Sequence, residues 1–245
     1  MIYFDNAATS FYKSEEMAKS VYNYILNSGN PSRGAYELSL NASRIVLETR
    51  IKCAEFFDCS DFNKVIFTSG VTESLNIVIN GLIDKSDHVV TSIYEHNSVL
   101  RPLYKTGCEL SVTDGTVEEI EKAIKENTKA VILTHVSNVT GDITNISAIG
   151  ELCRKKNILL IVDSAQSAGV IPISMKKNNI DILCFTGHKA LGGIQGSGGL
   201  CIEGNIDIKP FKVGGSGIHS YDKKHPSEYP TRLEAGTMNV CGILS

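Results

Sequence analysis

From residue 64 to residue 202 the chain keeps repeating one pattern: a short apolar run, a polar turn, then a stretch with helical spacing. The runs are KVIFT at 64–68, HVVTSI at 88–93, AVILT at 130–134, ILLIV at 158–162 and IDILCF at 180–185, with weaker ones at 109–112 and 199–202. Helical spacing separates many of them, at 73–83, 98–104, 117–126 and 146–156. A strand that is apolar at nearly every position is covered on both faces, whereas a half-buried strand alternates. The pattern therefore predicts an α/β fold, a mostly parallel sheet flanked by helices. Two helices are predicted ahead of the sheet. One spans about 13–28, with Met17, Val21, Tyr24, Ile25 and Leu26 at helical spacing, and Gly29-Asn30-Pro31 ends it. The other spans about 37–57, with an apolar stripe predicted from Leu38, Leu40, Ile45, Leu47, Ile51 and Phe56. In sheets of this kind the ligand sits outside the carboxyl ends of the strands.

Composition narrows the possibilities. A chain of 245 residues suits one large or two small domains, and 42% hydrophobic with 21% charged residues is ordinary for a globular protein. The net charge of −3 and the lack of a basic block argue against nucleic acid and against an anionic membrane surface. No apolar run reaches spanning length and MIYFDNAATS lacks a secretory pattern, so a cytoplasmic protein is expected. The cysteines number seven and include no CxxC pair, which points to reduced thiols rather than disulfides or a zinc site; no metal is expected. Cys184 and Cys201 stand in apolar runs and read as core filler.

The residues after each strand form a candidate site. After KVIFT comes Ser69-Gly70-Val71-Thr72, a glycine turn entering a helix, where free N–H groups suit a phosphate. An ordinary helix cap reads the same way. After VVTSI, His96 can stack on a planar ring or move protons, although a lone loop histidine is commonplace. After AVILTH, Asn138 offers an amide, as turn asparagines do generally. Asp163 directly follows ILLIV, so it is expected to be buried and to need a cationic or hydrogen-bonding partner. A protonated pyridine nitrogen, a backbone group or an arginine could serve. Lys189 follows IDILCF by three residues, in a glycine-rich loop. Desolvation there would favour the free amine, which forms Schiff bases with aldehydes; a solvated loop lysine is the ordinary alternative. Together these loops offer a phosphate cradle, a ring-stacking histidine, an amide, an acid and an amine. Pyridoxal phosphate has the matching handles.

The sequence resembles the class V aminotransferase family, and within it the cysteine desulfurase and selenocysteine lyase group. The matching stretches are YFDNAAT at 3–9, NPSRG at 30–34, TSGVTESLN at 68–76, EHNSV at 95–99, HVSNVTG at 135–141, DSAQSAG at 163–169, FTGHK at 185–189 and LEAGTMN at 233–239. The resemblance implies the large domain of fold-type I pyridoxal-phosphate-dependent transferases. It implies that Lys189 carries the cofactor aldehyde, that Asp163 pairs with the pyridinium nitrogen, and that Gln166 and Asn138 bond near the phenolic oxygen. His96 would stack on the ring and shuttle protons. Val71, Thr72, Thr186 and His188 would hold the phosphate. Thr237 would reach the phosphate of a neighbouring subunit, making the functional unit a homodimer with shared sites. Asn6, Ala7 and Ala8 would lie near the substrate.

Two features depart from the family pattern. The chain ends at Ser245, shortly after LEAGTMN, where family members continue into a smaller domain carrying a persulfide-forming cysteine and a carboxylate-gripping arginine. Cys241 falls in the wrong place to be that cysteine. The loop after Lys189 reads ALGGIQGSGG, where most members have a Tyr or Leu and a Gly-Pro pair. The expected organisation is an N-terminal segment and helix at 1–30 and an incomplete cofactor-binding domain at 31–245, with the smaller C-terminal domain absent. The expected activity of the parent is that of a cysteine desulfurase, converting L-cysteine to L-alanine and an enzyme-bound persulfide. Sulfur metabolism, iron–sulfur cluster assembly and a sulfur-acceptor protein fit that role. This chain alone is expected to bind cofactor weakly and not to turn over. The alternatives are a selenocysteine lyase, another class V aminotransferase or lyase, or a non-catalytic cofactor- or partner-binding remnant. A nucleotide-binding fold is disfavoured because no GxGxxG or Walker loop follows the first strand.

Overall fold

The computed structural model describes residues 2–31, 34–218 and 221–245. Strands β1 (Val65–Thr68), β2 (His88–Ser92), β3 (Glu109–Thr113), β4 (Thr128–Thr134), β5 (Leu159–Asp163), β6 (Ile182–Thr186) and β7 (Gly198–Ile202) form one seven-stranded sheet in the order β1-β7-β6-β5-β4-β2-β3. The helices are α1 (Glu15–Asn27), α2 (Glu37–Phe57), α3 (Val71–Leu82), α4 (Asn97–Thr106), α5 (Val117–Ala123), α6 (Ile146–Lys156) and the short α7 (Val240–Leu244). Strand β7 runs antiparallel to both its neighbours, and the other pairings are parallel. Because β7 reverses twice, β1 points the same way as β6. The carboxyl ends of β1, β6, β5, β4 and β2 therefore share one edge of the sheet.

The apolar runs are continuous because successive residues serve two cores. Val131, Leu133, Leu160, Val162, Leu183 and Phe185 pack on one face with Phe57 of α2, Ile120 of α5 and Ile149 of α6. Ile132, Ile161, Ile182 and Cys184 pack on the other face with Leu75 and Ile79 of α3 and Val99 and Leu103 of α4. Each such side chain contributes roughly 1.5–3 kcal/mol of burial. Cys184 and Cys201 are fully buried within these cores. Burial also pushes both thiols well up, with Asp163 adding to the effect at Cys184 and the Cys59 hydrogen bond at Cys201, so the core-filler reading stands. Strand β7 slips between β1 and β6 because it opens on two glycines. A Cβ on Gly198 would come within 2.6 Å of the Gly70 Cα, and one on Gly199 within 2.6 Å of the Ile66 carbonyl oxygen.

The predicted stripe on α2 is wrong, although the helix has the predicted bounds. Leu38, Leu40, Leu47 and Phe56 are exposed, and Ile45 and Ile51 are only half-buried. The line facing the sheet is Ser39, Ala42, Val46, Arg50, Ala54 and Phe57. Small residues let the helix lie close to the sheet, and the buried guanidinium of Arg50 is neutralised by Glu234, at 2.9 Å and 3.0 Å. On α1, Met17, Val21 and Tyr24 turn partly inward, while Ile25 and Leu26 are exposed.

Candidate functional site

Asp163 ends β5 and is 2% exposed. Its register partners are Thr134 on β4 and Cys184 on β6. The carboxylate Oδ1 accepts one hydrogen bond, from the Ala165 N–H at 2.9 Å. Burial pushes this carboxyl up, while that N–H and the positive charges of Lys189 and His96 hold it down. Lys189 lies three residues past β6, the strand next to β5, and is half-buried. Burial pushes its ammonium pKa down and Asp163 opposes the shift. Asp163, Lys189 and His96 thus converge electrostatically at the tips of adjacent elements, an amine and an acid each needing a partner in a poorly solvated place.

His96 caps the N-terminus of α4. Its Nδ1 accepts from the Ser98 N–H at 3.1 Å and lies 2.9 Å from the Ser98 hydroxyl. A backbone N–H can only donate, so Nδ1 is an acceptor and a neutral ring carries its proton on Nε2. The Ser98 hydroxyl in turn lies 2.8 Å from that of Thr72, which joins the start of α4 to the start of α3. Helix α3 opens at Gly70, whose φ of 151° suits glycine. A Cβ there would stand 3.5 Å from the Thr186 hydroxyl oxygen, so the Gly70 turn lies against the end of β6. The first N–H groups of α3, at Val71 and Thr72, lack helical acceptors and face outward from this turn.

The N-terminal segment closes over the lysine loop. The His188 carbonyl accepts from the Thr9 and Ser10 hydroxyls and from Lys13 Nζ, and the Lys189 carbonyl accepts from Ser10 Oγ at 2.8 Å. The His188 ring Nδ1 lies 3.0 Å from the Thr9 hydroxyl. Burial, Lys189 and Lys13 all lower its pKa, which favours a neutral ring. Gln166 Nε2 donates to the Ala7 carbonyl at 2.9 Å, and Asn6 Oδ1 accepts from the Phe11 N–H. Asn6, Ala7 and Ala8 therefore form an exposed turn beside Gln166 and His188.

Two predicted residues are joined to this group by no hydrogen bond and no shared cavity among the described residues. Asn138 is exposed after β4 and makes no hydrogen bond among the described residues. Thr237 lines a groove of about 150 Å³ with Ser69, Glu73 and Lys212, which contains none of Asp163, Lys189 and His96. Of the NPSRG stretch, Ser32 and Arg33 lie outside the described residues. A larger cavity, about 410 Å³, lies between α2, the 187–198 loop and α7, and it too excludes the Asp163 group.

Sequence reasoning missed Glu95, Ser98, Thr9, Ser10 and Lys13. A signal existed for Glu95, an acid soon after an apolar run, as Asp163 is. The N-terminal contacts had none, because they join residues with |i−j| of 175 to 179.

The family model described as Aminotransferase class-V matches residues 2–245. A probable cysteine desulfurase of Pyrococcus abyssi is 34% identical over 261 residues, taking in 100% of this chain and 65% of that protein. A probable cysteine desulfurase of Borreliella burgdorferi is 33% identical, taking in 100% and 63%. The solved apo cysteine desulfurase from Thermococcus onnurineus NA1 superposes with a TM-score of 0.90 at 34% identity, over 99% of this chain and 64% of that one. The chain thus spans a little under two thirds of the length of these relatives.

Proposed function

This chain belongs to the aminotransferase class-V family, and from that premise we propose that it carries the pyridoxal-phosphate site of a cysteine desulfurase, taking sulfur from L-cysteine and leaving L-alanine. The observation that carries the reading is the coupling of Asp163 and Lys189 at the tips of adjacent strands. The residues present fit the cofactor. Asp163 keeps one oxygen without a hydrogen bond among the described residues, ready for a cationic ring N–H. The α3 N-terminus at the Gly70 turn, beside Thr186 at the end of β6, suits a phosphate. A solved relative, SspA, is in complex with cysteine and is 26% identical to this chain.

Pyridoxal phosphate, when bound, supplies an aldehyde and an electron sink. This chain's residues do the rest. Burial biases Lys189 toward the free amine, so Nζ would hold the aldehyde and, once released, take the substrate's α-proton. His96 keeps Nδ1 accepting from the Ser98 N–H, so its neutral ring presents Nε2–H to the cleft; to shuttle a proton the ring would release that bond and carry a hydrogen on Nδ1. Asp163, shielded from water, holds positive charge at the ring nitrogen. Val71, Thr72, Thr186 and His188 hold the phosphate, and Asn138 and Gln166 flank the phenolic oxygen. The segment at 1–30 covers the lysine loop of the domain at 31–245, with Asn6, Ala7 and Ala8 beside the substrate.

The proposal extends to a homodimer in which Thr237 serves the partner's site. Thr237 does not share a cavity with its own chain's Asp163, and Phe4, Phe11, Tyr12, Ile25 and Leu26 leave apolar surface open. It extends also to a cytoplasmic setting and to a sulfur-acceptor protein in iron–sulfur cluster assembly; the unpaired thiols of all the cysteines support a reducing compartment. Among the described residues no helix is long and apolar enough to cross a membrane.

Purified protein mixed with pyridoxal phosphate should develop a bound-cofactor absorbance band, and Lys189→Ala should lose it. A variant that keeps the wild-type band removes Lys189 from the site. With an added thiol to receive the sulfur, alanine and a persulfide as products from L-cysteine separate a desulfurase from an aminotransferase, which would give a keto acid.

A further inference from the structure

Glu95 has no task in the chemistry above, yet it is only 9% exposed and immediately precedes His96. Its Oε1 accepts from the Ser92 hydroxyl at 2.7 Å and from the Thr134 N–H at 3.0 Å. Ser92 ends β2 and Thr134 ends β4, so one carboxyl oxygen ties two strand tips together. Thr134 is also the register partner of Asp163. The other oxygen, Oε2, is buried with no hydrogen-bond partner among the described residues.

An ionised carboxylate needs donors on both oxygens and a compensating cation, and a buried one without them is costly. Glu95 has donors on one oxygen only. The charged group acting on it is Asp163, which is negative. Lys189 and His96 act on Asp163 instead. His135, the residue after Thr134, is buried, and burial lowers its pKa toward the neutral ring. A carboxylic acid with its proton on Oε2 and Oε1 as acceptor satisfies the observed bonds and adds no charge. In keeping with this, burial pushes Glu95 up to about 8, with the Ser92 and Thr134 bonds opposing and Asp163 adding.

We propose that Glu95 is an uncharged carboxylic acid that positions His96 by joining the tips of β2 and β4, and that its neutrality keeps a second negative charge away from Asp163. The proposal rests on the pyridoxal-phosphate reading of the cleft. Glu95 is a positioning residue: it acts through Ser92, Thr134 and the backbone that leads into His96.

Infrared difference spectra of wild type against Glu95→Gln near neutral pH test the neutrality without cofactor. A carboxylic-acid C=O band that disappears in the variant is expected; its absence from the difference overturns the proposal. Pyridoxal-phosphate titration of wild type, Glu95→Gln and Glu95→Ala tests the positioning. The amide preserves shape and neutrality, so it should bind within about threefold of wild type, whereas alanine, which strands the Ser92 and Thr134 donors, should bind about tenfold more weakly. If the alanine variant does not fold, Glu95→Asp, one methylene too short to reach both donors, takes its place. Equal losses in the amide and the truncated variants overturn the positioning role. The bound-cofactor absorbance should also show a pH step near 8 in wild type that Glu95→Gln lacks; a step shared by both overturns the assignment. A wild type that binds no pyridoxal phosphate removes the cofactor reading and the positioning of His96 with it, while the infrared band still decides the charge of Glu95.

Discussion

Two glutamates in this molecule bury their carboxyl groups, and their surroundings are opposite. Glu234 is closed: Oε1 accepts from the Phe67 N–H at 2.7 Å and from Arg50 at 2.9 Å, and Oε2 accepts from Arg50 at 3.0 Å. The Arg50 guanidinium lies 4.7 Å from the centre of the Phe67 ring and also donates to the Val65 carbonyl. Both carboxylate oxygens and both terminal guanidinium nitrogens have a bond, and the pair ties α2 to β1 and to the 233–239 segment. Glu95 is open: one oxygen is bonded, the other is not, and its charged neighbour is another acid. A saturated ion pair fixes structure. A half-satisfied acid beside a strand-end cleft has its proton as a variable, and groups of that kind gather at functional sites. On the proposed reading the carboxyl edge of the sheet is the reactive side, and the α2–β1 flank is the frame.

Removing one member of the closed pair gives the largest expected effect. Arg50→Ala leaves Glu234 charged, buried and short of donors, so unfolding stability should fall by about 3–5 kcal/mol in a denaturant titration. Replacing both Arg50 and Glu234 by apolar residues of similar size should recover a large part of that loss. If the single substitution costs as little as an exposed ion pair, the flank is not the rigid frame described.

The open acid predicts a smaller effect with a distinct pH signature. Glu95 has its folded pKa raised from 4.5 to about 8, so between those values the folded state holds a proton that the unfolded chain has released. Stability from this group is complete below 4.5, declines as pH rises through the window, and levels off above 8. The slope should approach about 1 kcal/mol per pH unit in wild type and be shallower by that amount in Glu95→Gln. Identical slopes in the two proteins would place Glu95 among ordinary ionised carboxylates and erase the contrast with Glu234.

The two glutamates also mark where sequence reasoning succeeds. The central strands were legible because they are buried on both faces, so apolar runs such as ILLIV and IDILCF stand out, and their predicted bounds fall within two residues of those observed. Parallel order then placed Asp163, Lys189 and His96 on one edge without further information. Glu95 had the same strand-tip signal as Asp163, but the bonds that hold either buried glutamate could not be found that way. The partner that makes Arg50 tolerable inside the fold lies at |i−j| of 184, and the N–H that holds Glu95 lies at |i−j| of 39. No local window contains either pair. Helix α7 was missed for a simpler reason: its 5 residues are too few to show a period.

The stripe on α2 failed for the same non-local cause, and it supplies the smallest and sharpest prediction. Bulk pointed to Leu47, which is 47% exposed, while the adjacent Val46 and the later Arg50 face the sheet. If the Arg50 line anchors α2, Leu47→Gln should change stability by less than about 0.5 kcal/mol, and Val46→Ala should cost roughly 1–3 kcal/mol. The reverse order would mean that α2 is turned about its axis. Arg50 would then lie away from Glu234, and the closed pair against which Glu95 is defined would not exist.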